Sequence, residues 1–173
     1  LQRADPYVLR ADDGSYYFTA SVPEYDRIAL RKAASLGALA EAPEIEVWHR
    51  HSSGPQSIHI WAPELHFLFG RWYIYYAGGD KDDIWAIRPY VLECQGDDPM
   101  TGPWVEKGKM TCAPDDEFSF RAFSLDATVF SVKGVWYYIW AGKEGASPVI
   151  FLLHFRIPLR SEEHTSELQS HHD

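Results

Sequence analysis

Apolar and polar positions alternate along most of the chain, and one device interrupts the alternation three times. A short apolar stretch meets a Gly, one variable residue follows, and an aromatic run begins. The runs are Gly14-Ser15-Tyr16-Tyr17, Gly70-Arg71-Trp72-Tyr73 and Gly134-Val135-Trp136-Tyr137. The stretches before them are Tyr7–Leu9, Leu65–Phe69 and Thr128–Val132. Alternation around a glycine turn predicts a β-hairpin, and aromatic side chains favour the half-buried surface of a pleated sheet. Further strands are predicted at Ile28–Leu30, Ile45–His49, Arg88–Glu93, Tyr90–Cys94 and Ile150–Phe155. The best helical stretch is Leu30–Ala42, rich in Ala and Leu and stopped by Pro43. It is read as no more than a helical turn or a loop.

The three glycines are spaced by 56 and 64 residues. Hairpins recurring about every 60 residues point to four-stranded units repeated around an axis, as in a β-propeller. A β-sandwich with chance hairpins is the alternative. Three hairpins fall short of the roughly 4–8 blades that close a ring. The expected fold is therefore all-β, a propeller cut to about its first three blades over residues 1–159. The aromatic strand Trp136–Trp140 is expected to leave an exposed apolar face. Residues 160–173, RSEEHTSELQSHHD, resemble translated sequencing-adapter sequence and are set aside from the fold, as a fusion scar would be. The alternative is a natural polar tail, with His164, His171 and His172 as metal ligands.

Composition narrows the function classes. The 173 residues are 46% hydrophobic and 15% aromatic, which excludes disorder for most of the length. The net charge is −9, and without the last 14 residues 15 Lys and Arg still face 21 acids. Such a surface repels phosphate backbones, so no nucleic-acid partner is expected. No apolar run approaches the roughly 18 residues of a membrane span, so no membrane partner is expected either. Two cysteines, Cys94 and Cys112, make neither a disulfide framework nor a thiolate cluster. The compartment stays open.

The candidate chemistry sits just before each hairpin. Nine residues before Gly14 is Asp5, nine before Gly70 is Trp61, and eight before Gly134 is Asp126. In a propeller the innermost strands face one axis, so these positions converge on one cavity. Two carboxylates beside a sugar-sized aromatic face suggest glycoside hydrolysis. Taken alone, Asp5 before Pro6 reads as a turn former. Asp126 lies in the apolar run FSLDATVF, where a buried carboxylate requires a reason.

At these residues the chain resembles glycoside hydrolase family 43, the five-bladed β-propeller group of arabinofuranosidases, arabinanases and β-xylosidases. The resemblance runs from Ala4 to about Phe155. It rests on ADPYVLRADDGSYYFTASVPEYDRI, HIWAPELHFLFGRWYIYYAGG and FSLDATVFSVKGVWYYIWAG, with DIWAIRPYVLEC resembling the arabinofuranosidase-like branch. It implies an inverting enzyme with Asp5 as general base and Asp126 as the acid that tunes the pKa of the general acid. That general acid is a Glu in a Glu-Gly-Pro segment. The nearest string is Lys143-Glu144-Gly145-Ala146, which reads as an outer hairpin, so the general acid is expected to be absent from this chain and the chain inactive. Trp61, His59 and Phe123 are expected to bind substrate, with Trp85 a further aromatic candidate. His66, like His59, also fits a hydrogen-bonded structural role. Arg27 and Arg88 are candidates to hold carboxylates or sugar hydroxyls. The resemblance implies a central calcium ion in complete relatives, bound through a His of a later blade. No such motif occurs here, and neither metal nor cofactor is expected. The implied activity is cleavage of α-L-arabinofuranosyl linkages in arabinose- or xylose-containing saccharides. The alternatives are a β-xylosidase and a non-catalytic carbohydrate-binding propeller.

Overall fold

The structure is a computed structural model, which describes residues 2–155 without 113, 145 and 146. Residues 156–173, including the three tail histidines, lie outside the described set.

The chain runs as three successive antiparallel meanders, each paired in chain order. The first contains β1 (Ala4–Arg10), β2 (Tyr16–Ser21), β3 (Arg27–Ala33) and β4 (Ile45–His49). The second contains β5 (Pro55–Leu68), β6 (Arg71–Asp80), β7 (Asp83–Cys94) and β8 (Trp104–Lys109). The third contains β9 (Ser124–Val132), β10 (Val135–Glu144) and β11 (Ser147–Phe155). These are three blades of a β-propeller. The first strand of each later blade packs on the blade before it: β5 lies against β1 and β2, and β9 against β5, β6 and β7.

The three turn glycines have φ of +83°, +80° and +78°. No atom lies within 4 Å of where their Cβ would stand, so only the left-handed backbone demands glycine there.

Alternation along β6 explains how the blades stack. Trp72, Ile74 and Tyr76 enter one core with Tyr17, Ile28, Leu30, Ile60, Leu65 and Leu92. Tyr73 and Tyr75 point the other way, into a second core with Val91, Phe120, Val129, Tyr138 and Trp140. A strand with period-two side chains can serve both cores only if both its faces are covered.

Three expectations change. The Leu30–Ala42 stretch stays extended to Ala33 because Ile28 and Leu30 are fully buried in the first core. Only Gly37–Ala40 makes a 3-10 turn. β8, sequence WVEKGK, escaped notice because a polar edge strand carries little hydrophobic alternation. The aromatic strand of the third blade is largely covered: Tyr138 and Trp140 are 0% and 2% exposed, packed under Phe120.

Candidate active site

All three blades carry the same irregularity in their first strand. In the first, Ala4 pairs Ser21 and Tyr7 pairs Thr19. In the second, Trp61 pairs Ala77 and Glu64 pairs Tyr75. In the third, Leu125 pairs Ala141 and Thr128 pairs Ile139. Each time the inner strand has one residue more than its partner, which is a β-bulge. The bulges hold Asp5-Pro6, Ala62-Pro63 and Asp126-Ala127. Their first residues have φ of +48°, +45° and +49°, a left-handed conformation that non-glycine residues rarely hold. Bulges re-aim a side chain, and backbone strain of this kind clusters at functional sites.

The bulges correct the register expected from sequence. Ala62, not Trp61, is the counterpart of Asp5 and Asp126. Counting back from the glycine slips by one because the first hairpin loop, between Arg10 and Tyr16, has five residues where the loop between Leu68 and Arg71 has two. Trp61 stands one position earlier, level with Ala4 and Leu125.

Asp5 and Asp126 both lie exposed. Asp126 is thus not a buried acid in an apolar run, because its bulge turns it out of the packed face of β9. Partial burial, and then the negative charge of Asp5, push the Asp126 carboxyl up from its ordinary value. The two carboxylates, 121 positions apart in sequence, sense each other in space. Asp5 Oδ2 also accepts a hydrogen bond from Ser21 Oγ at 2.8 Å.

The aromatic candidates form two groups. Trp61 packs on His59, with centroids 4.4 Å apart, and meets Tyr25 edge-on at 5.8 Å. His59 and Tyr25 both have positive φ. Burial draws the His59 pKa down, which favours a neutral ring. The Trp61 indole N–H has no hydrogen-bond partner among the described residues. Phe123, just before β9, lies 6.4 Å from Trp85, which is 65% exposed. The Lys143 ammonium stands 4.8 Å from the Phe123 ring and 5.7 Å from the Trp85 ring.

Other candidates turn out to be structural. His66 is buried, with Nε2 3.0 Å from Glu64 and Nδ1 3.5 Å from the Tyr7 hydroxyl. A carboxylate only accepts, so Nε2 carries the proton and Nδ1 accepts from Tyr7. Burial, then the Glu64 charge, push the Tyr7 hydroxyl up to about 12. Arg27 is engaged by Glu24, Asp26 and Glu46. Arg88 donates to the carbonyls of Ile87 and Arg121. Among the described residues neither arginine pairs with Asp5 or Asp126. Glu144 closes the β10–β11 hairpin opposite Ser147, and its side chain lies outside the described set.

Comparison with known proteins places this geometry. The family model for glycosyl hydrolases family 43 matches residues 1–167. The chain belongs to that family. An extracellular exo-α-(1→5)-L-arabinofuranosidase of Streptomyces avermitilis is 51% identical to this family 43 chain over 145 residues, covering 84% of this chain and 29% of the relative. The α-L-arabinofuranosidase 43 of Humicola insolens is 48% identical over 144 residues, covering 83% and 28%. Among solved structures, an α-L-arabinofuranosidase from Lactobacillus brevis superposes with a TM-score of 0.78 at 40% identity, over 90% of this chain and 50% of that one. An endo-arabinase from Bacteroides thetaiotaomicron shares the fold, with a TM-score of 0.68 at 18% identity. The chain thus spans about three-tenths of the first of these relatives and half of the Lactobacillus enzyme.

The resemblance to the family implies a central calcium ion in complete relatives, bound through a His of a later blade. Among the described residues no three His, Cys, Asp or Glu side chains gather to hold a metal ion, and Glu64 and His66 are bonded to each other.

Sequence reasoning passed over one residue of this site, Ser21. Its signal was present. Seven residues past the turn glycine stands Ser21 in the first blade, but Ala77 and Ala141 in the other two.

Proposed function

We propose that this chain carries the base-bearing part of an inverting glycosidase that cleaves α-L-arabinofuranosyl linkages in oligo- or polysaccharides. The observation that carries the reading is the repeated bulge presenting Asp5 and Asp126 at equivalent positions, close enough for one charge to raise the other's pKa. The family membership and the arabinofuranosidases that resemble this chain support the choice of sugar.

In this reading Asp5 takes a proton from a water molecule. The water oxygen bonds to the anomeric carbon from the face opposite the leaving group, as inversion requires. The glycosidic C–O bond breaks, and the leaving oxygen receives a proton from a general acid. That role is assigned to none of the described carboxylates. Asp126 holds the acid's pKa up by like-charge repulsion, so that the acid stays protonated at working pH. Trp61 and His59 offer two aromatic faces to the sugar. Phe123 lines the approach.

The test uses a full-length enzyme made by joining residues 2–155 to the C-terminal remainder of the Streptomyces avermitilis relative. Hydrolysis of 4-nitrophenyl α-L-arabinofuranoside is compared with that of the β-D-xylopyranoside. Asp5→Asn is expected to lower kcat by roughly 10²–10⁴-fold with KM little changed. Asp126→Asn is expected to lower kcat and move the alkaline limb of the pH–rate profile to lower pH, since the acid loses its like-charge neighbour. Full activity of Asp5→Asn, or faster cleavage of the xyloside, would overturn the reading.

A further inference from the structure

We infer that Ser21 is a positioning residue that locks the Asp5 carboxylate to the backbone of the neighbouring blade; this rests on reading Asp5 as the base. Ser21 ends β2, opposite Ala4 and directly beside the first bulge, and is 1% exposed. Its hydroxyl makes two bonds, each 2.8 Å long. Oγ donates to Asp5 Oδ2, and it accepts from the backbone N–H of Ala62.

Ala62 is the bulge residue of the second blade, the counterpart of Asp5 itself. One hydroxyl therefore ties the two equivalent points of adjacent blades together. Its polarity is forced. A backbone N–H can only donate, so the Ser21 oxygen must accept there, and its single hydrogen is left for Asp5. The bond holds Asp5 Oδ2 as an acceptor, so the proton that the base takes goes to the other oxygen, Oδ1. A charge-assisted bond of this kind also fixes the carboxylate plane, and catalysis is sensitive to that angle.

The repeat argues that this is not a requirement of the fold. At the same distance past the turn glycine the second and third blades have Ala77 and Ala141, and both make the same bulge without a hydroxyl. Asp126, whose assigned work is to lend charge to another acid, has no such serine. The hydroxyl stands only beside the acid that has to be aimed at a water.

Two measurements test the assignment. In the 173-residue chain, Ser21→Ala is expected to speed amide hydrogen exchange at Ala62 at least tenfold, read by NMR; unchanged exchange overturns the bridge. In the joined full-length enzyme, Ser21→Ala is expected to lower kcat roughly tenfold with KM within about twofold. Ser21→Thr, which keeps the hydroxyl, is expected to restore kcat and the slow exchange at Ala62. A lower melting temperature with kcat unmoved would make Ser21 a backbone prop only and overturn the inference. Should Ser21→Ala fail to fold, Ser21→Cys keeps the volume with a much weaker donor and is read the same way. Asp5→Asn separates the failures. If it is fully active, the reading of the base falls; if it is dead while Ser21→Ala is unimpaired, only this inference falls.

Discussion

Asp5, Ala62 and Asp126 hold the same left-handed backbone, yet they do not bear its cost equally. The conformation costs an L-residue roughly 1–2 kcal/mol, and Asp offsets part of this with a short polar side chain that bonds locally. Ala62 has no such side chain, and its φ of +45° is held by the bulge and by the Ser21 bond to its N–H. Ala62→Gly is therefore expected to stabilise the chain by about 0.5–1 kcal/mol in urea unfolding. A loss of stability would mean that the Ala62 methyl group, not the backbone, sets the bulge. The backbone N–H that Ser21 holds is kept by this variant, so Asp5 should remain tied. Much of this residue-scale picture was legible beforehand. Asp5 and Asp126 stand out by their place before each hairpin. Ser21 was legible only once the three repeats were aligned from the turn glycine forward instead of backward.

Strands are joined here by polar clasps as well as by their ladders. Glu106 of β8 accepts from Trp48 Nε1 at 2.7 Å and from His51 Nε2 at 2.8 Å, with Gln56 Nε2 at 3.3 Å. Trp48 belongs to β4, so this clasp closes the outer edges of the first two blades over each other. Burial alone would raise the Glu106 carboxyl, but the bonds from Trp48, His51 and Gln56 and the His51 charge outweigh it. The net shift is downward from 4.5. A carboxylate with a lowered folded pKa stabilises the fold at pH above its unfolded value, and the gain is lost as pH falls through the folded value. Glu106→Gln is thus expected to melt below the parent at pH 7, with the gap closing under acid conditions. A gap that stays constant from pH 7 to pH 3 would show that shape, not charge, makes the clasp. The clasp helps to hold β8 despite its weak pattern: Trp48 lies on the first blade, His51 on the connection between the blades and Gln56 on β5, each 50 or more residues away.

Across the whole molecule, stability depends on how blades seat on one another. Two cores do this, one between the first and second blades and one between the second and third. Phe120, from the connection between β8 and β9, is 3% exposed and lies 4.6 Å from Trp140 and 5.8 Å from Tyr138. It covers the aromatic strand that sequence alone left as an exposed face. Phe120→Ala is expected to cost about 3–5 kcal/mol in denaturant unfolding, the usual cost of emptying a buried aromatic site. A cost under about 1 kcal/mol would mean that the third blade does not depend on this joint. The active-site proposal needs that joint, because Asp126 reaches Asp5 only if the third blade is seated.

What the sequence by itself determined is whatever depends on local order. The three glycine hairpins and the all-β class follow from alternation and spacing within a few residues, the pair Asp5 and Asp126 from their places in the repeat, and the family from the resemblance of its motifs. Tertiary structure alone decided the rest. A bulge adds one residue to one strand, and no local pattern marks it, so only pairing across the sheet put Ala62 rather than Trp61 at the equivalent point. Arg27 and Arg88 are held partly by near neighbours and partly by Glu46 and the Arg121 carbonyl, which only the packed strands bring to them. Ser21 meets Ala62 across 41 residues because two blades face each other there. Contacts of that range belong to the packing of one blade on the next, which a linear pattern does not encode.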